Sequence, residues 1–216
     1  MSDELRVEGN GMCSGGLTAA VGLAGAEARG HRGLAAVQMT GVVFFALCTG
    51  WAAGARMYLP GTPVPVTMQT LTVLLSGAIL GCRLGAASML IYLLMGCAGM
   101  PFFSGWRSGL AVACGPTGGY LIGFMAASWI VGKISWSGEG SWKRLFLAVS
   151  AGSAVIYLCG AAGLLVTVPG IDLAGAFSRG ILPFLPGDLI KASLAVGLTR
   201  VAGPRTRRFL ADGGEE

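Results

Sequence analysis

Between Arg32 and Lys133 the chain carries only three charged residues, Arg56, Arg83 and Arg107, each about one membrane-crossing helix from the next. Uncharged stretches of that length cannot cover the surface of a water-soluble fold. Charged residues make up 12% of the chain, against about 25% in an ordinary soluble domain. Hydrophobic residues make up 54%, and 37 glycines suit helices that pack closely inside a bilayer. The expectation is an all-α integral membrane protein with one membrane domain. The net charge of +5 reads as a topology signal and not as a nucleic-acid footprint, because the polar surface for nucleic acid is missing.

Apolar periodicity and Pro/Gly punctuation predict six transmembrane helices, over about 34–56, 67–81, 84–100, 117–133, 145–168 and 183–201. The expected organisation is a poorly ordered cytoplasmic N-terminal tail (1–34), a six-helix membrane domain (35–202) and a basic cytoplasmic C-terminal tail (203–216). With the N-terminus inside, Arg6, Arg29, Arg32, Arg83, Lys133, Lys143, Arg144, Arg200, Arg205, Arg207 and Arg208 fall on the cytoplasmic side. Only Arg56, Arg107 and Arg179 fall outside, so the asymmetry places both termini in the cytoplasm. Three loops then face out, 57–66, 101–116 and 169–182. All three are rich in proline, glycine or aromatic residues, so a small molecule is expected to bind near the outer face.

The chemistry-bearing residues are few. The six cysteines form no C-x-x-C and none lies near the single histidine, which excludes a recognisable metal site. No hydrolase, metalloprotease or Walker A motif is present, so no enzymatic activity and no intrinsic ATP hydrolysis are expected. In Pro183-Phe-Leu-Pro-Gly-Asp-Leu-Ile-Lys191, Asp188 and Lys191 stand at i and i+3 on one helix face. An ionisable residue at the bilayer centre costs roughly 2.5–3.5 kcal/mol or more and usually faces a cavity or a partner. Asp188 either caps the helix and pairs with Lys191, or both residues bind a polar ligand. Gly115-Pro-Thr-Gly-Gly-Tyr120 reads as a tight helix start with Thr117 as a cap and Tyr120 beside it. Gln69, in Thr62-Pro-Val-Pro-Val-Thr-Met-Gln-Thr70, either bonds across helices or reaches a ligand. Ala46, Gly50 and Gly54 form a small-residue stripe that packs inside the bundle or docks a separate membrane subunit.

Taken in order, Thr62–Thr70, Gly99-Met-Pro-Phe-Phe103, Gly115–Phe124 and Pro183–Lys191 resemble the BioY family, the biotin-specific substrate-binding components (S components) of energy-coupling-factor (ECF) transporters. The resemblance covers about residues 36–202. It implies a six-helix bundle in a bacterial cytoplasmic membrane and a biotin site open to the outside. It also implies a transmembrane coupling protein and ATP-binding subunits as partners, beside membrane lipid. Asp188 resembles the acidic site residue and would accept a ureido N–H. Lys191 resembles its basic partner, which donates to the ureido carbonyl or pairs with the carboxylate. Tyr120, Gln69 and Thr117 match motif positions, and Phe102, Phe103 and Trp106 would line or cover the head group. The Ala46/Gly50/Gly54 stripe resembles a motif that docks on the coupling protein. Trp106 and Arg107 depart from a smaller, glycine-rich family pattern. The alternatives are an S component for another vitamin, such as thiamine or riboflavin, or an intramembrane lipid enzyme.

Overall fold

The computed structural model describes residues 33–137 and 141–212, with side chains through Thr206. Of the expected N-terminal tail, only Gly33 and Leu34 are described, and they open the first helix. The elements are α1 (Gly33–Ala52), β1 (Arg56–Met57), β2 (Val66–Thr67), α2 (Gln69–Leu80), α3 (Cys82–Cys97), α4 (Leu110–Ala113), α5 (Gly118–Trp136), α6 (Trp142–Thr167), α7 (Leu173–Gly180) and α8 (Leu185–Asp212). The architecture is helical, and every predicted apolar segment carries a helix. By length and apolarity α1 and α6 each suffice to cross a membrane, and α7 with α8, bent by 54°, make a third candidate. The second and third segments are the shorter apolar helices α2 and α3, joined through Gly81 alone.

The structure corrects several boundaries. The first helix ends at Ala52, short of Arg56, because the chain turns there into an antiparallel ribbon that pairs Arg56 with Thr67 and Met57 with Val66. The three prolines between these two short strands keep the connection out of helix. The last helix does not stop at Val201 but runs through Pro204 to Asp212, so most of the expected C-terminal tail is helical. Proline removes one backbone donor at 204, yet the residues around it are otherwise compatible with helix. Two of the loops expected outside hold short helices that periodicity did not reveal, α4 and α7.

Glycine sets the closest approaches. A methyl group at Gly119 would collide with the Cys159 carbonyl, and Gly163 of α6 faces it in turn. The α5 and α6 backbones therefore touch with no side chain between them. The core divides into two clusters. One, at the loop end, gathers Tyr92, Phe103, Tyr120, Phe124, Ile156, Tyr157 and Phe184. The other, further along the bundle, gathers Leu74, Ala78, Val131, Val149 and Ala195. Large apolar residues such as Phe44, Trp51, Leu158 and Ile190 stand on the outside, as a lipid-facing surface requires.

Candidate ligand site

Two of the three loops expected outside, 57–66 and 101–116, line one cleft. The ribbon and its connection contribute Val64, Pro65 and Thr67, the second loop Phe103 and Ser104, and the turn between α7 and α8 Phe184. The walls come from Gln69 and Thr70 of α2, Tyr120, Leu121 and Phe124 of α5, Ile156 and Tyr157 of α6, and Asp188 and Lys191 of α8, with Thr117 just before α5. This is a largely apolar pocket with a few placed polar groups, the usual composition of a small-molecule site. The cleft is narrow, with about 50 Å³ open to the centre of a water-sized group.

Its polar centre is Asp188 and Lys191, both buried. Pro186 and Gly187 begin the first turn of α8 and Asp188 completes it, where the positive end of the helix dipole favours a carboxylate. One turn on, Lys191 Nζ lies 2.6 Å from Asp188 Oδ1, the single ion pair among the described residues. Tyr157 donates its hydroxyl to Asp188 Oδ2 at 2.6 Å, and Thr70 donates to Oδ1 at 3.2 Å. Lys191 also donates to the Thr67 carbonyl at 2.7 Å and to Thr70 Oγ1 at 3.2 Å. Asp188 lies inside the helix, its N–H bonded to the Phe184 carbonyl, and not at a capping position. The pair is ion-paired and lines the cavity. Its bonds reach α2, α6 and the ribbon, so the site also ties those elements together.

The other expected residues divide. Gln69 lines the cleft while its amide donates to Tyr92 Oη at 2.5 Å and its carbonyl accepts from Thr67 Oγ1 at 3.2 Å. Tyr120 presents its ring to the cleft, packs against Phe184 with centroids 6.2 Å apart and donates its hydroxyl to the Gly180 carbonyl at 2.6 Å. Thr117 lines the cleft but makes no side-chain cap. Its hydroxyl donates back to the Val112 carbonyl at 3.5 Å. Phe103 is buried at the cleft wall, edge-on to Tyr92 at 5.9 Å.

Three expectations are corrected by geometry. Trp106 does not line the cleft. It is half exposed, edge-on to Trp51 at 6.4 Å, and its ring covers Gly54. It is the one non-glycine among the described residues with positive φ, at 58°. The helix-one stripe is not an open docking face. Ala46 is fully buried, the Phe102 ring occupies the space beside Gly50, and Trp106 occupies the space beside Gly54. The chain's own loop 101–116 fills the groove that the small residues create. Phe102, expected at the head group, is held in that groove.

Sequence reasoning missed Tyr157, Thr70 and Ser104. Tyr157 sits in an apolar run where a tyrosine reads as core. Thr70 lay inside a motif already singled out. Ser104 gave no signal.

With this geometry established, comparison with known proteins is informative. A family model described as the BioY family matches residues 18–208. The chain is 40% identical over 145 residues to the probable biotin transporter BioY of Pyrococcus horikoshii, covering 67% of this chain and 84% of that protein. It is 38% identical over 142 residues to the biotin transporter BioY of Thermotoga maritima, covering 66% and 82%. The structure resembles the crystal structure at 2.1 Å of the S-component for biotin from an ECF-type ABC transporter, with a TM-score of 0.70 and 26% identity over 76% of this chain and 88% of that one.

Proposed function

Because the chain belongs to the BioY family, which its residues 18–208 match, we propose that it takes up biotin across the cytoplasmic membrane as the substrate-binding component of an ECF-type transporter. It is a multi-pass membrane transport component and not an enzyme. The observation that carries this reading is the buried Asp188–Lys191 pair on the wall of the cleft. A neutral ion pair is an apt partner for a ureido head that offers two donors and one acceptor. In this reading the Asp188 carboxylate accepts a ureido N–H, and Lys191 donates to the ureido carbonyl. Charge-assisted bonds of this kind are about twice as strong as neutral ones. Tyr120, Phe103 and Phe124 supply apolar contact to the rings and the aliphatic tail. Gln69 and Tyr157 hold the polar groups in place, and Thr117 closes the wall at the start of α5.

The finer arrangement follows the charge distribution. All six long helices cross the bilayer, with α2 and α3 tilted or extended by their flanking residues, and both termini face the cytoplasm. The first 34 residues and the end of α8 lie on that side. No ATP-binding motif occurs in the sequence, so the energy for release inward comes from partners, a transmembrane coupling protein and ATP-binding subunits. The decisive experiment is calorimetric titration of the purified chain with biotin, thiamine and riboflavin. Biotin alone is expected to bind. Binding of another vitamin in its place, or no binding by folded protein, refutes the assignment.

A further inference from the structure

All but one of the polar side chains that line the cleft are already bonded within the chain. Lys191 directs its ammonium at Thr67, Thr70 and Asp188, and Asp188 accepts from Thr70 and Tyr157 besides. Gln69 is tied to Tyr92 and Thr67, Tyr120 to Gly180 and Thr117 to Val112. The exception is Ser104. It is 8% exposed, and its Oγ is the one buried side-chain polar atom among the described residues without a hydrogen-bond partner. A buried hydroxyl left unbonded is disfavoured. A ligand group that meets Ser104 gains a bond and breaks none in the chain, whereas one that reaches the Lys191 ammonium, whose three protons are all engaged, must displace an existing bond.

The surroundings of Ser104 specify the charge of that group. Arg107 Nε donates to the Ser104 carbonyl at 3.4 Å. The next residue, Gly105, has φ +84° and lies against the Arg56 guanidinium, so any side chain at 105 would run into it. Arg56 donates to Tyr58 Oη at 2.8 Å. Neither guanidinium meets a carboxylate among the described residues, where Asp188–Lys191 is the single ion pair. The unused hydroxyl thus lines the cleft beside a loop that carries two exposed positive charges, outside the cleft lining, that no acid offsets among the described residues. An anionic oxygen is the group this corner stabilises.

We propose that Ser104 is a ligand-binding residue whose hydroxyl donates to the carboxylate of the bound molecule, with Arg56 and Arg107 supplying the positive field around it. This rests on the biotin reading and gives the ligand a direction: ureido head against Asp188 and Lys191, carboxylate under the second outer loop.

The test is calorimetry on the full chain in lipid nanodiscs, with biotin and with biotinol, in which an alcohol replaces the carboxylate. Ser104→Ala is expected to weaken biotin about tenfold and biotinol far less. The ligand-free thermal midpoint should be unchanged or raised, because the substitution removes an unbonded hydroxyl. Arg56→Gln should weaken biotin about threefold at low salt, a loss that fades at high salt as screening removes an exposed charge. Biotin affinity within twofold of wild type in Ser104→Ala overturns the inference, as does an equal loss for both ligands. Folded wild-type protein that fails to bind biotin refutes the parent reading, and this one with it.

Discussion

At the scale of single residues the site is governed by what it costs to separate two buried charges. Removing one member of a buried ion pair typically destabilises by about 3–5 kcal/mol, because the other is left unmatched. Asp188→Asn and Lys191→Ala are each expected to lose biotin binding and to lower thermal stability, read by calorimetric titration and by a melt in the same detergent. Asp188→Asn/Lys191→Met, which leaves no unmatched charge, should recover most of the stability and none of the binding. Recovery of binding in the double variant would show that the pair is only structural. Tyr157→Phe removes one charge-assisted bond to Asp188 and should cost about 1.5–3 kcal/mol of stability, with the fold intact by circular dichroism. Asp188 and Lys191 were legible in the sequence because charge inside an apolar helix is expensive. Tyr157 was not, because a tyrosine in α6 has an apolar ring that is at home in a core and a hydroxyl whose partner lies 31 residues away.

At the scale of elements, glycine and loop packing decide. Gly119 and Gly163 let α5 and α6 meet backbone to backbone, and no small shift of a flexible side chain can make room there. Gly119→Leu is therefore expected to destabilise by more than about 3 kcal/mol, an overpacking cost at the upper end of its usual range, seen as loss of monodisperse protein. Gly50→Leu is a different case. It would push on the Phe102 ring, which belongs to the second outer loop, so its first consequence should be a loosened loop and weaker ligand retention. A measured biotin off-rate equal to wild type would refute that. The helices themselves were legible because apolar runs punctuated by Pro and Gly leave little choice. The β1–β2 ribbon was not, since two residues per strand carry no periodicity. The path of α8 beyond Val201 was not legible, because the apolar run gives way there to the basic residues Arg205, Arg207 and Arg208. The occupation of the α1 stripe was illegible in principle. Small residues declare that something comes close without saying what, and here it is Phe102 and Trp106. Trp106 holds a left-handed backbone that costs roughly 1–2 kcal/mol outside glycine, which its contacts with Gly54 and Trp51 offset.

At the scale of the whole molecule the question is which end faces which compartment. The loops that build the cleft hold Arg56, Arg107 and Arg179, and the opposite turns hold Arg83, Lys133, Lys143 and Arg144. The native cysteines allow a direct test. Cys114 is exposed at the end of α4, on the cleft side, and Cys82 is partly buried at the α2–α3 turn, on the other. In single-cysteine variants, a membrane-impermeant maleimide added to intact cells is expected to label Cys114 and to spare Cys82 until the cells are opened. The reverse pattern would invert the topology and put the cleft on the cytoplasmic side.

One bond already described joins these scales. The Lys191 ammonium reaches out of α8 to the backbone carbonyl of Thr67, and Thr67 is the residue paired with Arg56 across the ribbon. A single side chain thus serves as a mooring line between the last helix and the outermost piece of the chain. Whatever draws that ammonium toward an arriving ureido carbonyl slackens the line at its far end. The ribbon is then expected to gauge occupancy, read as faster amide exchange at Val66 and Met68 when the cleft is filled.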